Sequence, residues 1–413
     1  MTSPISVSIP PAPAQRPVKL TASPGAAAEG EAAARSPWIA LALSGGGVRA
    51  MAFHAGVLRY LAEQRKLEAV SQISTVSGAS LLLGLIFARN DMRWPASEEY
   101  AGYVLPQLRA TLTSQDLQMA MLKRLLTRPS NWQYLFSRAN VFAQTIAETW
   151  GIHQTLGELP SSPEWAINGA TAETGKRFRF LGAHLGDYEL GYATTPGFAM
   201  AKAMAMSAAF PIGIGPLALR MDEHEWRKQS SWNAPETVQN YAPPYELIHV
   251  YDGGIYDNLG LEPFYDIGKR ASKGDFCIIA SDASAPLEKG FEMRALSPLR
   301  VKRIIEVVSA QTRALRVRAF MEFLIQGGDG AYLPIGGNPR HLLKRSKNPI
   351  ADEGYTWLSP AEIEQSSAYP TNLRSISPQM FDLLERHGYE MCKARQLVFG
   401  FLPETQNVLT ESP

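Results

Sequence analysis

The chain has 413 residues, of which 45% are hydrophobic and 19% charged, and its net charge at pH 7 is +1. This composition is typical of a globular protein with a large core, and the balanced charge gives no whole-chain attraction to nucleic acid. The two cysteines, Cys277 and Cys392, are too few for a disulfide framework and lack metal-ligand spacing, so we expect both to be buried.

The first 37 residues are expected to form a disordered arm. They are rich in Ala, Pro and Ser, contain no aromatic residue and lack the basic and apolar regions of a Sec signal peptide. No uncharged apolar stretch of the chain approaches the roughly 18 residues of a membrane span. We therefore expect a cytoplasmic protein or one that binds a membrane peripherally, although secretion without a signal peptide would leave no trace here.

The predicted elements after this arm alternate between strand and helix. Residues 38–43 (WIALAL) predict a buried strand that ends in a glycine cluster. Apolar side chains then recur every three or four residues from Met51 to Leu61, which predicts an amphipathic helix with its start near Ala50. A second strand at 70–77 (VSQISTVS) and a helix directly after it complete a pattern that predicts a right-handed parallel βαβ unit.

Residues 91–175 contain many polar residues, several Trp and Tyr, and helical stretches, and we expect a helical insertion that caps the core. The later predicted elements are the strands RFRFLGAHL and YELGYATT, the helix AMAKAMAMSAAF that ends at Pro211, strands at 246–254 and 275–284, and helices near 298–326 and 378–396. The expected organisation is one catalytic domain at 38–285 and a mainly helical extension at 286–413 that packs on it.

The glycine cluster in LALSGGGVRAM has two interpretations. Gly45, Gly47 and Ala50 satisfy the dinucleotide-binding pattern G-x-G-x-x-[GA]. That fold also requires an acidic residue at the end of its second strand to hold the ribose, whereas the only nearby acid, Glu68, precedes the strand. The alternative is that the backbone amides of the cluster hold an oxyanion during acyl transfer.

The second predicted strand ends in TVSGAS, which places Ser77 where a strand-to-helix turn would expose a nucleophile. Thr75 and Ala79 replace the glycines of the strict G-x-S-x-G motif, so Ser77 by itself also fits a helix N-cap. Gly78 leaves its backbone N–H free to donate. Asp252, in YDGGIYDNLG, begins an Asp-Gly-Gly that by itself is typical of a turn.

The order of these blocks resembles the patatin-like phospholipases, which are related to cytosolic phospholipase A2. The resemblance covers about residues 38–285, and a fourth match lies in AMSAAFPIGIGPL, around Ser207 and Pro211. It implies an α/β fold of the FabD/lysophospholipase type. Such a fold is a three-layer sandwich with a mainly parallel central sheet, here with a helical insertion and C-terminal helices.

The resemblance also implies a Ser–Asp dyad without a histidine, acting on ester bonds of phospholipids or lysophospholipids. Ser77 would be the nucleophile and Asp252 the general base, within the Asp-Gly-Gly motif completed by Gly253 and Gly254. The implied oxyanion hole consists of Gly45, Gly46, Gly47 and Gly78. The resemblance implies no metal and no organic cofactor.

Basic residues raise the question of lipid contact. Arg49, after the glycines, would either support the loop or meet a lipid phosphate, and we favour support. His54, in AFHAGVL, is expected to pack within its helix and brace the loop. Residues 298–325 predict a basic amphipathic helix, which is either a solvated face of a packed helix, the favoured interpretation, or a surface for anionic lipid. The helical, aromatic insertion is the other candidate for acyl-chain contact.

Two other functions remain open from the sequence. One is a catalytically silent lipid-binding or scaffold protein that keeps the fold. The other is a nucleotide-binding oxidoreductase, which the missing ribose acid disfavours. For the hydrolase, the expected partners are a phospholipid or lysophospholipid substrate, a membrane surface and an activating protein or ligand, but no nucleic acid.

Overall fold

The computed structural model describes residues 38–134, 137–211, 213–228, 239–287, 289–291, 297, 299–345 and 354–403. The arm predicted for residues 1–37 lies outside the described residues. The strands are β1 (Ile39–Leu43), β2 (Val70–Val76), β3 (Glu164–Thr171), β4 (Arg177–Leu181), β5 (His184–Asp187), β6 (Gly191–Thr194), β7 (Leu217–Arg220), β8 (Trp226–Lys228), β9 (Gln239–Asn240), β10 (Leu247–Asp252), β11 (Tyr265–Asp266), β12 (Ala271–Ser272), β13 (Cys277–Asp282) and β14 (Gly330–Pro334). The α-helices are α1 (Gly47–Glu63), α2 (Gly78–Arg89), α3 (Ser97–Glu99), α4 (Leu105–Ser114), α5 (Leu117–Thr127), α6 (Ala139–Trp150), α7 (Met200–Ser207), α8 (Gly254–Asp257), α9 (Leu299–Ile325), α10 (Pro339–Arg345), α11 (Pro360–Ser367) and α12 (Pro378–Phe399).

The sheet has a parallel core in the order β14-β13-β1-β2-β3. Strand β1 lies in the middle, and all five of its residues are buried because helices cover both faces of the sheet. Its side chains alternate between the two faces. Leu41 belongs to the core cluster that includes α1, α2 and α12, whereas Ala42 belongs to the cluster with Phe320 of α9. These contacts confirm the three-layer α/β architecture.

Strand β3 corrects the predicted helical insertion, which was expected to extend to residue 175. The α-helices of the insertion end at Trp150, and Glu164–Thr171 forms a strand in which seven of the eight residues are buried. The sequence EWAINGAT is a short apolar run, and periodicity alone does not separate such a run from a buried helical segment. The predicted strand RFRFLGAHL is likewise a hairpin of β4 and β5, with Gly182 in its turn at φ +52°.

The register on β3 brings two chain segments together. β2 runs parallel to β3, and its last residue, Val76, pairs with Asn168. β10 runs antiparallel to β3, and its last residue, Asp252, pairs with the next residue, Gly169. The carboxyl ends of β2 and β10 therefore meet on consecutive residues of one strand.

The first helix begins earlier than its apolar period predicts. α1 starts at Gly47, inside the glycine cluster, and Gly46 is its N-cap. Gly46 and Gly47 have φ values of +152° and +61°, a region that favours glycine. The chain can therefore turn from β1 into the helix through only Ser44, Gly45 and Gly46.

Two further expectations concern buried cysteines and membrane spans. Cys277 and Cys392 are both buried, as predicted. Within the described ranges, no helix combines the length and apolar character needed to cross a membrane. The division into a domain at 38–285 and an extension at 286–413 stays a prediction.

Candidate active site

Ser77 lies in a strained turn between β2 and α2. Its backbone has φ 54° and ψ −120°, which is a rare conformation for a residue with a side chain. This geometry is the strand-to-helix elbow that lifts a hydroxyl above the edge of a sheet. The nearby Ser80, by contrast, is fully buried within α2.

Asp252 ends β10 beside this elbow and is 3% exposed. Its backbone N–H donates to the carbonyl of Ala209 at 3.1 Å, and its Oδ1 accepts the N–H of Gly254 at 2.7 Å. Gly253 lies so close to β3 that a Cβ there would come within 2.6 Å of the Asn168 carbonyl oxygen. The Asp-Gly-Gly turn therefore fixes the carboxylate in a tightly packed corner.

The environment of Asp252 favours its neutral form more than water does. Burial raises the pKa of the Asp252 carboxyl from 3.8 to about 6, against the opposing effect of hydrogen bonds from the Gly254 N–H and the Ser77 hydroxyl. The Ser77 hydroxyl thus lies beside a carboxylate that is basic enough to accept a proton near neutral pH.

The starts of α1 and α2 converge beside Ser77. A Cβ on Gly78 would lie 2.3 Å from the carbonyl oxygen and 2.7 Å from the nitrogen of Gly47. The N–H groups of Gly46, Gly47 and Gly78 have no hydrogen-bond partner among the residues that the structure describes. Two helix N-termini with free donors therefore face the same point, which favours developing negative charge.

Gly45 does not fit the predicted donor role. Its N–H already donates to the carbonyl of Asn258 at 3.2 Å. Glycine is required there for another reason, because a Cβ would lie 2.5 Å from Asn258 Oδ1 and 3.0 Å from the Cβ of Ser77. Contrary to the expectation from the sequence, Gly45 therefore does not offer a free N–H to the oxyanion hole. Its lack of a side chain instead allows the backbone to pass close to Ser77.

Sequence reasoning missed Asn258, although it lies in the same YDGGIYDNLG segment as Asp252. Besides its contacts with Gly45, its Oδ1 lies 2.7 Å from the position of a Cβ on Gly254. Its Nδ2 donates to Ser284 Oγ at 2.8 Å. Asn258 therefore joins the glycine loop to the Asp-Gly-Gly turn. Its position only six residues after Asp252 was the feature of the sequence that could have indicated a place in the site.

Arg49 and His54 are buried beside the glycine loop. Arg49 is buried, and its guanidinium donates to the backbone carbonyls of Ala283, at 3.0 Å, and Tyr369. Burial lowers its pKa from 12.5 to about 10. His54 is fully buried with its Nε2 2.9 Å from the carbonyl oxygen of Ser44, directly before the glycines, and burial lowers its pKa to about 4. Neither side chain reaches the surface of the site.

The fourth sequence block, at the end of α7, contacts both members of the predicted dyad. The Ser77 backbone N–H donates to Ser207 Oγ at 3.0 Å. Two residues later, Ala209 accepts the N–H of Asp252. The helix predicted to end at Pro211 ends earlier, at Ser207.

The described residues give no support to a metal site or to the ribose acid of a dinucleotide fold. In the part of the chain that it describes, no group of three or more His, Cys, Asp or Glu side chains could hold a metal ion. Glu68 accepts hydrogen bonds from the backbone N–H and hydroxyl of Ser97, both at 2.7 Å, at the start of α3. Its carboxylate is therefore occupied in joining two segments of the chain.

Comparison with known families gives a match over more than half of the chain. The model of a family described as patatin-like phospholipase matches residues 41–265, which include the glycine cluster, Ser77 and Asp252. No curated protein matches the chain.

A solved structure shares the fold at low sequence identity. Human GIVD cytosolic phospholipase A2 is similar with a TM-score of 0.54 and 13% identity, over 87% of this chain and 59% of that one. This chain thus spans less than two thirds of that enzyme's length. VipD from Legionella pneumophila matches with a TM-score of 0.37 and 14% identity, over 89% of this chain and 67% of its own, a score too low to support an argument.

Proposed function

This chain belongs to the patatin-like phospholipase family, and on that premise we propose that it is a serine acyl hydrolase for phospholipid or lysophospholipid esters. The observation that carries the proposal is the strained elbow at Ser77 beside the buried Asp252, with the backbone N–H groups of both residues bound at the end of α7. A serine hydroxyl is a weak nucleophile at neutral pH and needs such a base. The proposed reaction therefore uses a two-residue dyad.

In the acylation step, Asp252 accepts the proton of Ser77 while Ser77 Oγ forms a bond to the ester carbonyl carbon. The carbonyl oxygen becomes an oxyanion, held by the N–H groups of Gly46, Gly47 and Gly78. The C–O bond to the leaving alcohol then breaks, and the alcohol takes the proton from Asp252. Each fixed donor is worth on the order of 3 kcal/mol to such a transition state.

In the deacylation step, water attacks the acyl group on Ser77 and gives a proton to Asp252. Collapse of the second oxyanion releases the fatty acid and returns that proton to Ser77. The remaining predicted residues act indirectly. Arg49 supports the loop through its two carbonyl contacts, and Gly254 orients Asp252 through its N–H.

Apolar side chains near the dyad suit an acyl chain. Phe210 follows Ala209, which binds the backbone of Asp252, and it is 37% exposed. Ile255 follows Gly254, which binds the Asp252 side chain, and it is 41% exposed. We assign these two side chains to the apolar mouth of the site.

Helix α5 of the insertion is the proposed membrane-facing element. Met119, Leu122 and Leu126 recur at the spacing of one helical face and have exposed fractions between 43% and 67%. Val48, next to the glycine loop, donates its N–H to Asn372, and Gln118 of α5 donates to the following residue, Leu373. The exposed face therefore begins close to the site entrance.

Helix α9 is the less suitable lipid surface because most of its cations have carboxylate partners. Lys302 and Arg303 pair with Glu306, Arg313 pairs with Asp282, and Arg316 pairs with Asp257 and Glu262. We propose that the enzyme is cytoplasmic or binds the membrane peripherally and that its catalytic domain spans residues 38–285. We also propose that an activating protein or ligand can increase its activity.

The proposal is tested by hydrolysis of p-nitrophenyl butyrate and of mixed phospholipid vesicles. We expect the wild type to release acid and the Ser77→Ala and Asp252→Asn variants to fall to background while their circular dichroism spectra stay unchanged. Activity that survives in Ser77→Ala would mean that the nucleophile is misassigned. A folded wild type without turnover, in the presence and absence of cell extract, would instead favour a catalytically silent scaffold.

A further inference from the structure

A chain of buried hydrogen bonds runs beneath the nucleophile. The indole Nε1–H of Trp165 donates to Thr75 Oγ1 at 2.8 Å, and Thr75 Oγ1 lies 2.8 Å from Ser80 Oγ. Ser80 Oγ lies 2.7 Å from Ser207 Oγ, and Ser207 Oγ donates to the Asn168 carbonyl at 2.7 Å. The chain links β3, β2, α2 and α7 at the point where the proposed dyad is assembled.

The two ends of this chain fix the direction of every bond in it. An indole N–H can only donate and a backbone carbonyl can only accept, while each hydroxyl has one proton. Ser207 gives its proton to Asn168, so Ser80 must donate to Ser207, and Thr75 must donate to Ser80. The three hydroxyl groups therefore have one arrangement that satisfies them all.

The chain acts on Ser77 through Ser207. Ser207 Oγ accepts both the Ser80 hydroxyl and the backbone N–H of Ser77, at 3.0 Å, which uses both of its lone pairs. Ser77 has the rare φ of +54°, and such a conformation persists only where the surroundings impose it. The hydrogen-bond chain supplies one such restraint, directly on the nucleophile's backbone.

We propose that Thr75 is a positioning residue for acyl transfer, acting through Ser80 and Ser207 on the backbone of Ser77. This inference rests on the proposed function. Thr75 is fully buried and cannot touch a substrate. Its hydroxyl is nevertheless required, because without it the Trp165 indole has no acceptor and Ser80 loses its donor. The threonine that departs from the strict nucleophile motif thus has a specific task.

The test compares Thr75→Val, which removes the hydroxyl at nearly constant volume, with Thr75→Ser, which keeps it. With p-nitrophenyl butyrate we expect kcat of Thr75→Val to fall about tenfold to a hundredfold, as for a misplaced reacting group, with KM nearly unchanged. Thr75→Ser should keep kcat close to the wild type. Thr145→Val, which removes another fully buried threonine hydroxyl within α6, is the matched control and should leave kcat unchanged.

A second variant keeps the proposal testable if Thr75→Val does not fold. Ser80→Ala retains the Trp165–Thr75 bond and breaks the link to Ser207, so it should lower kcat in the same way at an unchanged KM. Wild-type kcat in either folded variant would overturn the inference and leave the proposed function intact. A wild type that equals Ser77→Ala, with no turnover and no covalent labelling by an alkyl fluorophosphonate, would overturn both.

Discussion

The backbone N–H of Gly254 donates to Oδ1 of Asp252 at 2.7 Å, inside a turn where the carboxylate is almost completely buried. This bond stabilises the charged form of Asp252, but burial has the larger effect, and the pKa of the carboxyl rises to about 6. The titration of the proposed base therefore falls within an experimentally convenient range.

The pH dependence of hydrolysis should report this pKa. Asp252 acts only when deprotonated, so we expect kcat/KM for p-nitrophenyl butyrate to be constant above pH 7 and to fall as the pH is lowered through about 6. At pH 5 the loss should be about tenfold. Circular dichroism at each pH excludes unfolding as the cause, and a flat profile between pH 5 and 8 would contradict the assignment of the base.

Two buried histidines should make the fold sensitive to acid. Burial lowers the pKa values of His54 and His387 from 6.5 to about 4. Between pH 4 and 6.5 the folded state therefore binds fewer protons than the unfolded state, so the free energy of unfolding decreases as the pH falls through this range. Each histidine contributes about 1.4 kcal/mol per unit of difference between its two pKa values. The pKa of Asp252 is raised by folding, so protonation of Asp252 below pH 6 stabilises the folded state and partly offsets this loss.

This effect is measured as the Tm at pH 7.5, 6 and 5. The wild-type Tm should fall with pH, and the fall should be smaller in His387→Gln, which cannot be protonated and lies outside the proposed site. An equal pH dependence in the two proteins would show that His387 does not contribute.

The close approach of the two helix starts should not tolerate a methyl group. In Gly78→Ala the new Cβ would lie 2.3 Å from the Gly47 carbonyl oxygen, so the two donors must separate. We expect kcat to fall about a hundredfold, the scale of losing an oxyanion donor. Gly102→Ala is the control, because its Cβ meets no atom within 4 Å and its activity should stay at the wild-type level.

Arg49 can be assigned by comparing two substrates. Arg49→Lys loses the two-carbonyl contact to Ala283 and Tyr369, so the glycine loop should loosen. We expect kcat/KM to fall by the same factor, about tenfold, for p-nitrophenyl butyrate and for a phospholipid. A loss confined to the phospholipid would instead assign Arg49 to the lipid phosphate.

The exposed face of α5 should matter only at a lipid surface. Replacing Met119, Leu122 and Leu126 with Gln removes apolar area that would enter the membrane interface. We expect vesicle binding in a flotation assay, and hydrolysis of vesicle phospholipid, to fall about tenfold or more, because each side chain contributes roughly 1 kcal/mol or more. Hydrolysis of p-nitrophenyl butyrate in solution should not change. Equal losses on both substrates would contradict a role in membrane contact.

The sequence by itself determined the fold class and the residue types of the site. The alternation of strand and helix around the glycine cluster predicted the parallel α/β fold, because it depends on apolar periods that are local in the chain. Ser77 and Asp252 were singled out because each ends a predicted strand and precedes glycine, but the resemblance to the patatin-like phospholipases implied their catalytic roles. The cysteines were predicted to be buried on their residue type alone.

Only the tertiary structure decided how these residues meet. β3 has no local signal that separates it from the insertion, yet Val76 and Asp252 pair with its consecutive residues Asn168 and Gly169. The hydrogen bond from the Gly45 N–H to the Asn258 carbonyl likewise joins two segments that are distant in the sequence. Backbone hydrogen bonds between strands form whatever the side chains are. The register that assembles the site therefore follows from the packing of the whole sheet.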